Sequence, residues 1–459
     1  MNTIAAGFRH GAGTTATGTQ PMSGASPEKD LGHGTAGDDI FAIAADIYPI
    51  CRSITGEGVR ETLRRLERHI PIRTYEVASG EAAFDWSVPL EWTIRDAFIR
   101  NASTGERVLD FRRCNLHVMS YSTPVHGYFS LKDLREHIFT LPGQPDLIPY
   151  RTSYYRSGWG FCMAHNELSK LPECVYEVMI DSSLENGSLT YGEHVHSGET
   201  EEEILLWTHI CHPSMANDNC SGLALLTHLA ARLSDIRTRY TYRFVFAPGT
   251  IGAIIWLARN EHLLSRIAGG LVVSCVGDGG GPTYKRSRRG DTGIDRTMAH
   301  VLRHASPSAG ILAFSPYGGD ERQFCSPGFD LPVGSFHGGP LAGYPQYHTS
   351  GDDLELIRPE HLASSYRAIT AAIDVLENDA VMLNLSPKCE PQLGRRGLRP
   401  PSGGREDDDP RGMALLWVLN FSDGRHSLLD IAERANLPFA FIKEAANALK
   451  EKGLIEAKK

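Results

Sequence analysis

No two cysteines of this chain stand in a Cys-x-x-Cys pair, and its 9 cysteines lie scattered through apolar contexts. That pattern excludes a structural zinc ribbon and does not fit a disulfide framework. Long apolar runs are missing too, since none reaches the roughly 20 residues a membrane span needs. The first residues lack the basic-then-apolar order of a secretory signal. Positive charge is scarce: 46 Lys and Arg face 55 Asp and Glu, and a net charge of −9 argues against a general nucleic-acid binder. A cytoplasmic protein with reduced thiols, working away from membranes, is the expectation.

What the chain does have is length and core material. With 459 residues, 41% of them apolar, two or three domains are expected. Residues 1–37 are rich in Gly, Thr, Ser and Ala, and they read as a disordered tail. Helices are expected from about Phe41 and again from Gly58 to Ile70, with Leu63 and Leu66 inward. Residues 84–155 carry short strand-like pieces, such as Arg107 to Phe111 and Leu116 to Tyr121, and read as a β-rich insert. Around it, residues 38–83 and 156–390 alternate strands with helices. Strands are expected near Val175 to Ile180, Ile204 to His209, Tyr242 to Phe246 and Leu271 to Val276, with a helix from Ile251 to Ala258. That alternation predicts an α/β domain with a largely parallel sheet. A long helix is expected over 355–377. Residues 391–411 read as a linker. Residues 412–459 have the layout of a winged helix-turn-helix, with helices at Ser427 to Ala432 and Phe441 to Leu449.

Chemistry concentrates in the run from Thr208 to Gly222, which follows an apolar strand and precedes an apolar helix. His212 and Asp218 there are ligand types of a catalytic zinc. The same residues read equally as a polar loop whose Asp218 or Asn219 caps the next helix. Two further segments lie in loops at element ends, where functional groups gather: Asp320 to Phe324 and Tyr347 to Asp353. His212, Asp218 and His348 form a two-His, one-carboxylate set, although spacing alone does not bring them together. His209 reads as a buried strand histidine, and Asp352 and Asp353 as helix-start acids.

Ala216-Asn217-Asp218-Asn219-Cys220-Ser221-Gly222 resembles the bridging-aspartate motif of zinc aminopeptidases of the leucyl-aminopeptidase and aminopeptidase Y type. The resemblance implies that His212, Asp218 and His348 hold zinc. The chain is still more similar to bacterial aminopeptidase-like-domain proteins, which add a β-rich insert and a C-terminal winged helix. Arg52-Ser53, Phe84 to Trp92, Tyr154-Tyr155, Trp159 to Cys162, Cys211 to Ser214 and Asp320 to Gln323 carry that similarity over about residues 38–459. It implies an α/β, zinc-aminopeptidase-like (phosphorylase/hydrolase-like) sheet with flanking helices, and a setting in polysaccharide or secondary-metabolite biosynthesis.

The chain also departs from the peptidase pattern. Gly249 stands where the general base is expected, and Thr250 where the second Glu would be. Ser214 replaces the Asp that orients the first His, and the second zinc's Asp is replaced near Cys275. One zinc ion rather than two is therefore expected. Glu321 becomes the candidate acid–base group, against the plainer reading of a helix-start acid paired with Arg322. Asp320 is assigned to the substrate. Arg286 and Arg288, in the basic run Lys285 to Arg289, read as carboxylate or phosphate contacts or as a solvated loop. Tyr154 and Trp159 read as pocket walls or as buried aromatics.

Three functions follow. The first is a mono-zinc hydrolase of a peptide-like or amide bond in a small substrate. The second is a catalytically silent, metal-holding relative, because of Gly249. The third is a DNA-binding regulator through the winged helix, whose weak basic footprint favours dimerisation, and so a homo-oligomer, over nucleic acid.

Overall fold

The computed structural model describes residues 35–306, 308–340, 342–398 and 410–458. The expected tail lies outside the described residues up to residue 34, and the expected linker does so over 399–409. The end of the expected tail is folded. Helix α1, Ala36–Ile47, buries Ile40, Ile43, Ala44 and Ile47 in one stripe at helical spacing. Gly37 permits its docking, because a Cβ there would lie 2.1 Å from the carbonyl oxygen of Pro359. Helix α2, Glu57–Leu66, turns Val59, Leu63 and Leu66 inward.

Eight strands make the main sheet: β1 Arg73–Ala78, β2 Ser188–His196, β3 Glu203–His209, β4 Thr241–Ala247, β5 Ile267–Val273, β6 Thr283–Lys285, β7 Gly310–Leu312 and β8 Val333–His337. Their order is β1-β2-β4-β3-β5-β8-β6-β7. The central four, β4-β3-β5-β8, are parallel. Strand β2 is antiparallel to both β1 and β4, and β6 is antiparallel to β8. The expected parallel sheet is thus a mixed one with a parallel centre.

Both faces of that centre are covered, which is why its strands are apolar almost without interruption. Ile204 and Leu206 of β3 join one core with Leu223, Leu226 and Leu229 of α3, Gly222–Leu233. Leu205 and Trp207 join a second core with Ile251 and Ile255 of α4, Ile251–Asn260. Helices α5, Gly293–Ala305, and α6, Pro359–Asn378, add Met298 and Ile369 to the first core. The chain leaves β3 through α3 to β4 on one side, then returns through α4 to β5 on the other. Such a reversal opens a crevice at the carboxyl ends of the strands.

The insert is a four-stranded antiparallel sheet in the order Arg107–Asp110, Glu91–Asn101, Val175–Glu185, Val125–Ser130. The strand at Val175, expected in the α/β core, therefore belongs to the insert sheet, which extends well past residue 155. Its buried and half-buried positions alternate as either sheet would require, and only the partner decides. The segment expected as a strand at Leu116 begins instead as a 3₁₀ turn, Asn115–His117, with Val118 in a single bridge to Phe161.

The C-terminal module carries α7 Pro410–Phe421, α8 Leu428–Ala435 and α9 Phe439–Glu451. Its three-stranded sheet takes its central strand from Val381–Asn384, ahead of the expected linker. The winged helix thus recruits residues that the sequence reading left in the α/β domain. Ser427 and Asp430 form a capping box at the start of α8. The module is bound tightly to the main domain. Lys443 of α9 pairs with Asp374 of α6, both side chains nine-tenths buried, and Arg296 of α5 pairs with Asp430 at 2.7 Å. No helix among the described residues is long and apolar enough to cross a membrane.

Candidate metal centre

Strand β3 ends on His209, and the chain then stays at the carboxyl edge of the sheet until α3 begins. Polar side chains of this loop are tied to neighbouring strand ends. Asn217 Oδ1 accepts from the Gly277 N–H at 2.8 Å, and Ser221 Oγ accepts from Val276 N–H at 3.0 Å. Asn219 Nδ2 donates to Thr208 Oγ1 at 2.7 Å and to the His209 carbonyl at 2.9 Å. Gly222 closes the loop, since a Cβ there would lie 2.8 Å from Thr208 Oγ1. The buried Arg52 holds the outer side. Its Nε donates to the His212 carbonyl at 2.8 Å, Nη1 to the Ile47 carbonyl at 2.6 Å and Nη2 to Cys220 Sγ at 3.0 Å.

With its neighbours so fixed, Asp218 presents its carboxylate to three imidazoles. Nε2 of His209 lies 2.7 Å from Oδ1, Nε2 of His348 lies 3.1 Å from Oδ2, and Nε2 of His212 lies 3.7 Å from Oδ2. One ligating atom each of His209, His212 and Asp218 falls within 4.8 Å of the others, a cluster that could hold a metal ion. His348 comes from the far loop, and the insert helps to seat it. Tyr150 N–H donates to the His348 carbonyl at 2.8 Å, and Ile148 N–H donates to Ser350 Oγ at 3.0 Å. The Tyr150 ring packs 5.2 Å from that of His212 and 5.3 Å from that of His348, and Tyr347 stacks on His348 at 3.9 Å.

The electrostatics suit a cation. Burial alone would raise the Asp218 carboxyl, but the surrounding imidazoles outweigh it and hold the group well below the carboxylate range. Burial pushes His212 down to about 3, so its ring stays neutral and able to ligate. His209 goes the other way: burial opposes its charge, yet Asp218 raises it overall. Burial lifts the Cys211 thiol to about 12, which rules it out as a thiolate nucleophile at neutral pH.

A cavity of about 200 Å³ opens beside the cluster, lined by His209, His212, Asp218, Gly249, Thr250, Ser274, Gly318, Gly319, Asp320 and Tyr347. Asp320 is a second carboxylate that faces it, beside Asp218. Its Oδ2 accepts from Trp207 Nε1 at 2.8 Å and its Oδ1 from Thr250 N–H at 2.6 Å. Burial raises its pKa against the pull of those donors. A larger open cleft of about 720 Å³, at Glu261, Arg289 and Gly328, holds no ligating cluster.

Several sequence expectations change here. Glu321, expected as the acid–base group, is fully buried away from the cavity and pairs with Lys285. The alternation of a short helical turn sends Asp320 inward to the site and Glu321 beneath the preceding loop. Arg286 donates to the Gly290 carbonyl, and Arg288 pairs with Asp330 at 2.9 Å, so neither lines the cavity. Trp159 stacks on His137 at 3.6 Å inside the insert. Tyr154 stands behind the site, its hydroxyl 3.0 Å from that of Tyr150. Ser214 does not orient His212; its hydroxyl donates to the Tyr48 carbonyl at 3.0 Å, while His212 Nδ1 meets Cys211 Sγ at 3.3 Å. Asp352 is no helix-start acid, because α6 begins only at Pro359. Its carboxylate accepts the N–H groups of Asn217 and Asp218 at 2.5 and 3.0 Å. His209 and Tyr150 were the residues that sequence reasoning missed. His209 sits in step with Leu205 and Trp207, so periodicity marked it as core, and nothing local signalled Tyr150.

A family model described as a domain of unknown function, DUF4910, matches residues 41–379, and a winged helix-turn-helix model, HTH_47, matches 380–457. A Clostridium acetobutylicum protein named for polysaccharide biosynthesis and an aminopeptidase-like domain is 52% identical over 413 residues, 90% of this chain and 95% of that one. A crystal structure from Clostridium acetobutylicum, solved as that of a candidate peptidase, has a TM-score of 0.89 at 49% identity and covers 94% of this chain and 99% of its own. A Bacillus subtilis zinc aminopeptidase shares the fold, with a TM-score of 0.55 at 14% identity over 74% of this chain and 94% of that one.

Proposed function

This chain belongs to the DUF4910 family, and we propose that it is a zinc-dependent hydrolase of a peptide or amide bond in a small biosynthetic substrate. The observation that carries the reading is Asp218 set among His209, His212 and His348, with Asp320 in the same cavity. Imidazole and carboxylate donors suit zinc, and His212, Asp218 and His348 would hold one ion, with His209, in the same cluster, orienting the Asp218 carboxylate through its Nε2 at 2.7 Å. When bound, zinc supplies Lewis-acid polarisation of a carbonyl and a water of lowered pKa.

The chain's own residues do the rest. Asp320 is the acid–base group: the Trp207 and Thr250 donors orient it, and burial raises its proton affinity toward the working range of such a group. It takes a proton at its carboxylate as the nucleophile forms and returns it to the leaving nitrogen. Tyr347 and Tyr150 wall the cluster and restrict water around it. The Clostridium relative named for polysaccharide biosynthesis supports a biosynthetic setting. Zinc titration of purified protein tests the reading, and a chain that takes up no zinc sinks it.

Gly249 favours a second reading, a metal-holding binder without turnover. In that case Gly249→Glu creates amidase activity that the natural chain lacks. A natural chain already active on an amide rules the second reading out.

A further inference from the structure

We propose that the seam between the main domain and the winged helix holds a binding site for a small carboxylate with an apolar body, an aryl or short alkyl acid. The site is separate from the metal-type cluster and does not depend on the hydrolase reading.

A cavity of about 200 Å³ lies in that seam. Helices α5 and α6 give it apolar walls at Val301, Ala371 and Val375, and α9 enters it with its first two residues, Phe439 and Ala440. His304, exposed, stands at its mouth.

Two independent features of this cavity await a partner. The first is His300, which lines the wall with only 2% of its surface exposed. Its Nε2 is buried and has no hydrogen-bond partner among the described residues. A native structure pairs nearly all such atoms, so an unpaired one beside a cavity is accounted for when a ligand completes it. The second is the start of α9, a helix of 13 residues. Pro438 stands at the cap position and no side chain caps the first turn. Phe441 N–H turns back to the Pro438 carbonyl at 3.1 Å, while nothing among the described residues accepts from the N–H groups of Phe439 and Ala440. Free N–H groups at the positive end of a helix are an anion site.

The polar groups left free select the ligand. Asp374 is the one acidic side chain on the lining, and Lys443 Nζ holds both of its oxygens, at 2.7 and 2.5 Å. Asn378 Nδ2 donates to the same group at 3.0 Å. Asp374 therefore neither calls for a cation nor acts on an anion as a bare charge. Burial pushes His300 down to about 4, with His304, Arg303 and Arg296 adding to it, and burial lowers His304 as well. Both rings are neutral at pH 7, and each offers one N–H donor. A carboxylate suits these donors and the helix start, and the apolar walls suit a ring or short chain behind it. A sugar or phosphate would set most of its oxygens against Val301, Ala371 and Val375. A metal ion would find only two free ligands. Among the described residues, the group of three ligating side chains close enough to share an ion is the one at Asp218.

Calorimetric titration of the full chain with benzoate, and with benzamide as its uncharged isostere, tests the site. Benzoate is expected to bind, to raise Tm, and to bind at least tenfold more tightly than benzamide. His300→Phe keeps a planar ring without an N–H, and should weaken benzoate at least tenfold with Tm held. Ala440→Asp places a carboxylate where the helix dipole favours one, and should block benzoate without lowering Tm. No binding at millimolar concentration, equal binding of benzamide, or an affinity indifferent to both variants overturns the proposal. So does a second equivalent of bound zinc that His300→Phe removes, since the histidine pair would then be a metal site.

Discussion

The Asp320 carboxylate oxygen Oδ2 lies 4.0 Å from the point where a side chain on Gly249 would begin. A carboxylate from the segment before β8 thus borders the place that a glutamate after β4 would fill in a peptidase. Asp320→Asn keeps the size of the side chain but removes the proton acceptor. Turnover of an amide substrate is expected to fall by ~10²–10⁴, read from steady-state kinetics. Stability carries its own pH dependence. Burial raises the Asp320 pKa in the folded state, so ionising it costs stability that grows as pH rises from the unfolded pKa, is full above the folded pKa and is absent below the unfolded one. Asp320→Asn should therefore remove this pH-dependent part of the stability, read as a smaller loss between acid and neutral pH in urea unfolding, while its amide NH2 leaves either the Trp207 or the Thr250 N–H without an acceptor and lowers stability at both.

Metal binding should be visible in stability. Zinc at a hundred times its Kd is expected to add about 2.7 kcal/mol, seen as a rise in Tm. Asp218→Asn should abolish the rise. Uptake should weaken as pH falls, because the raised pKa of His209 keeps a proton beside the carboxylate that the ion must share.

Arg52 meets no ligating atom, yet its guanidinium fixes the loop that carries two candidate ligands, through the His212 carbonyl and Cys220 Sγ. Arg52→Lys cannot reproduce three divergent bonds from one nitrogen. Zinc affinity is expected to drop ~10–100-fold with circular dichroism unchanged, measured by chelator competition.

Lys443 and Asp374 form a buried pair between the winged helix and the main domain. Lys443→Ala should cost about 3–5 kcal/mol by leaving Asp374 without its cation. The double change Lys443→Met with Asp374→Leu should recover most of it in urea unfolding.

The same pair bears on nucleic acid. It turns one side of α9 toward the main domain, and the helix leaves Glu444, Asn447, Lys450 and Glu451 exposed, with no net positive charge. The full chain is expected to show no duplex binding that changes between about 50 and 200 mM salt, checked by fluorescence anisotropy.

Much of this was legible in one dimension. The strand-loop-helix around Asp218 was readable because apolar periods and a polar break are local signals, and the motif there named two candidate ligands. Glu321 misled for a physical reason: adjacent residues in a helical turn point about 100° apart, and sequence does not say which one the cavity receives. His209 misled because a strand period cannot tell the last buried position from the first one at a site. The strand at Val175 was recognised as a strand but given to the wrong sheet, since alternation reports burial and not pairing partner.

Composition, periodicity and motif were enough for the α/β class, the winged helix and the pairing of His212 with Asp218 in one loop, because each depends on neighbours along the chain. Bringing His348 to Asp218, turning Asp320 rather than Glu321 to the cavity, and seating the site against Tyr150 of the insert depended on residues far apart along the chain, 130 positions for His348 and Asp218 and 70 for Asp320 and Thr250. Those contacts arise only when the sheet order places distant strand ends side by side.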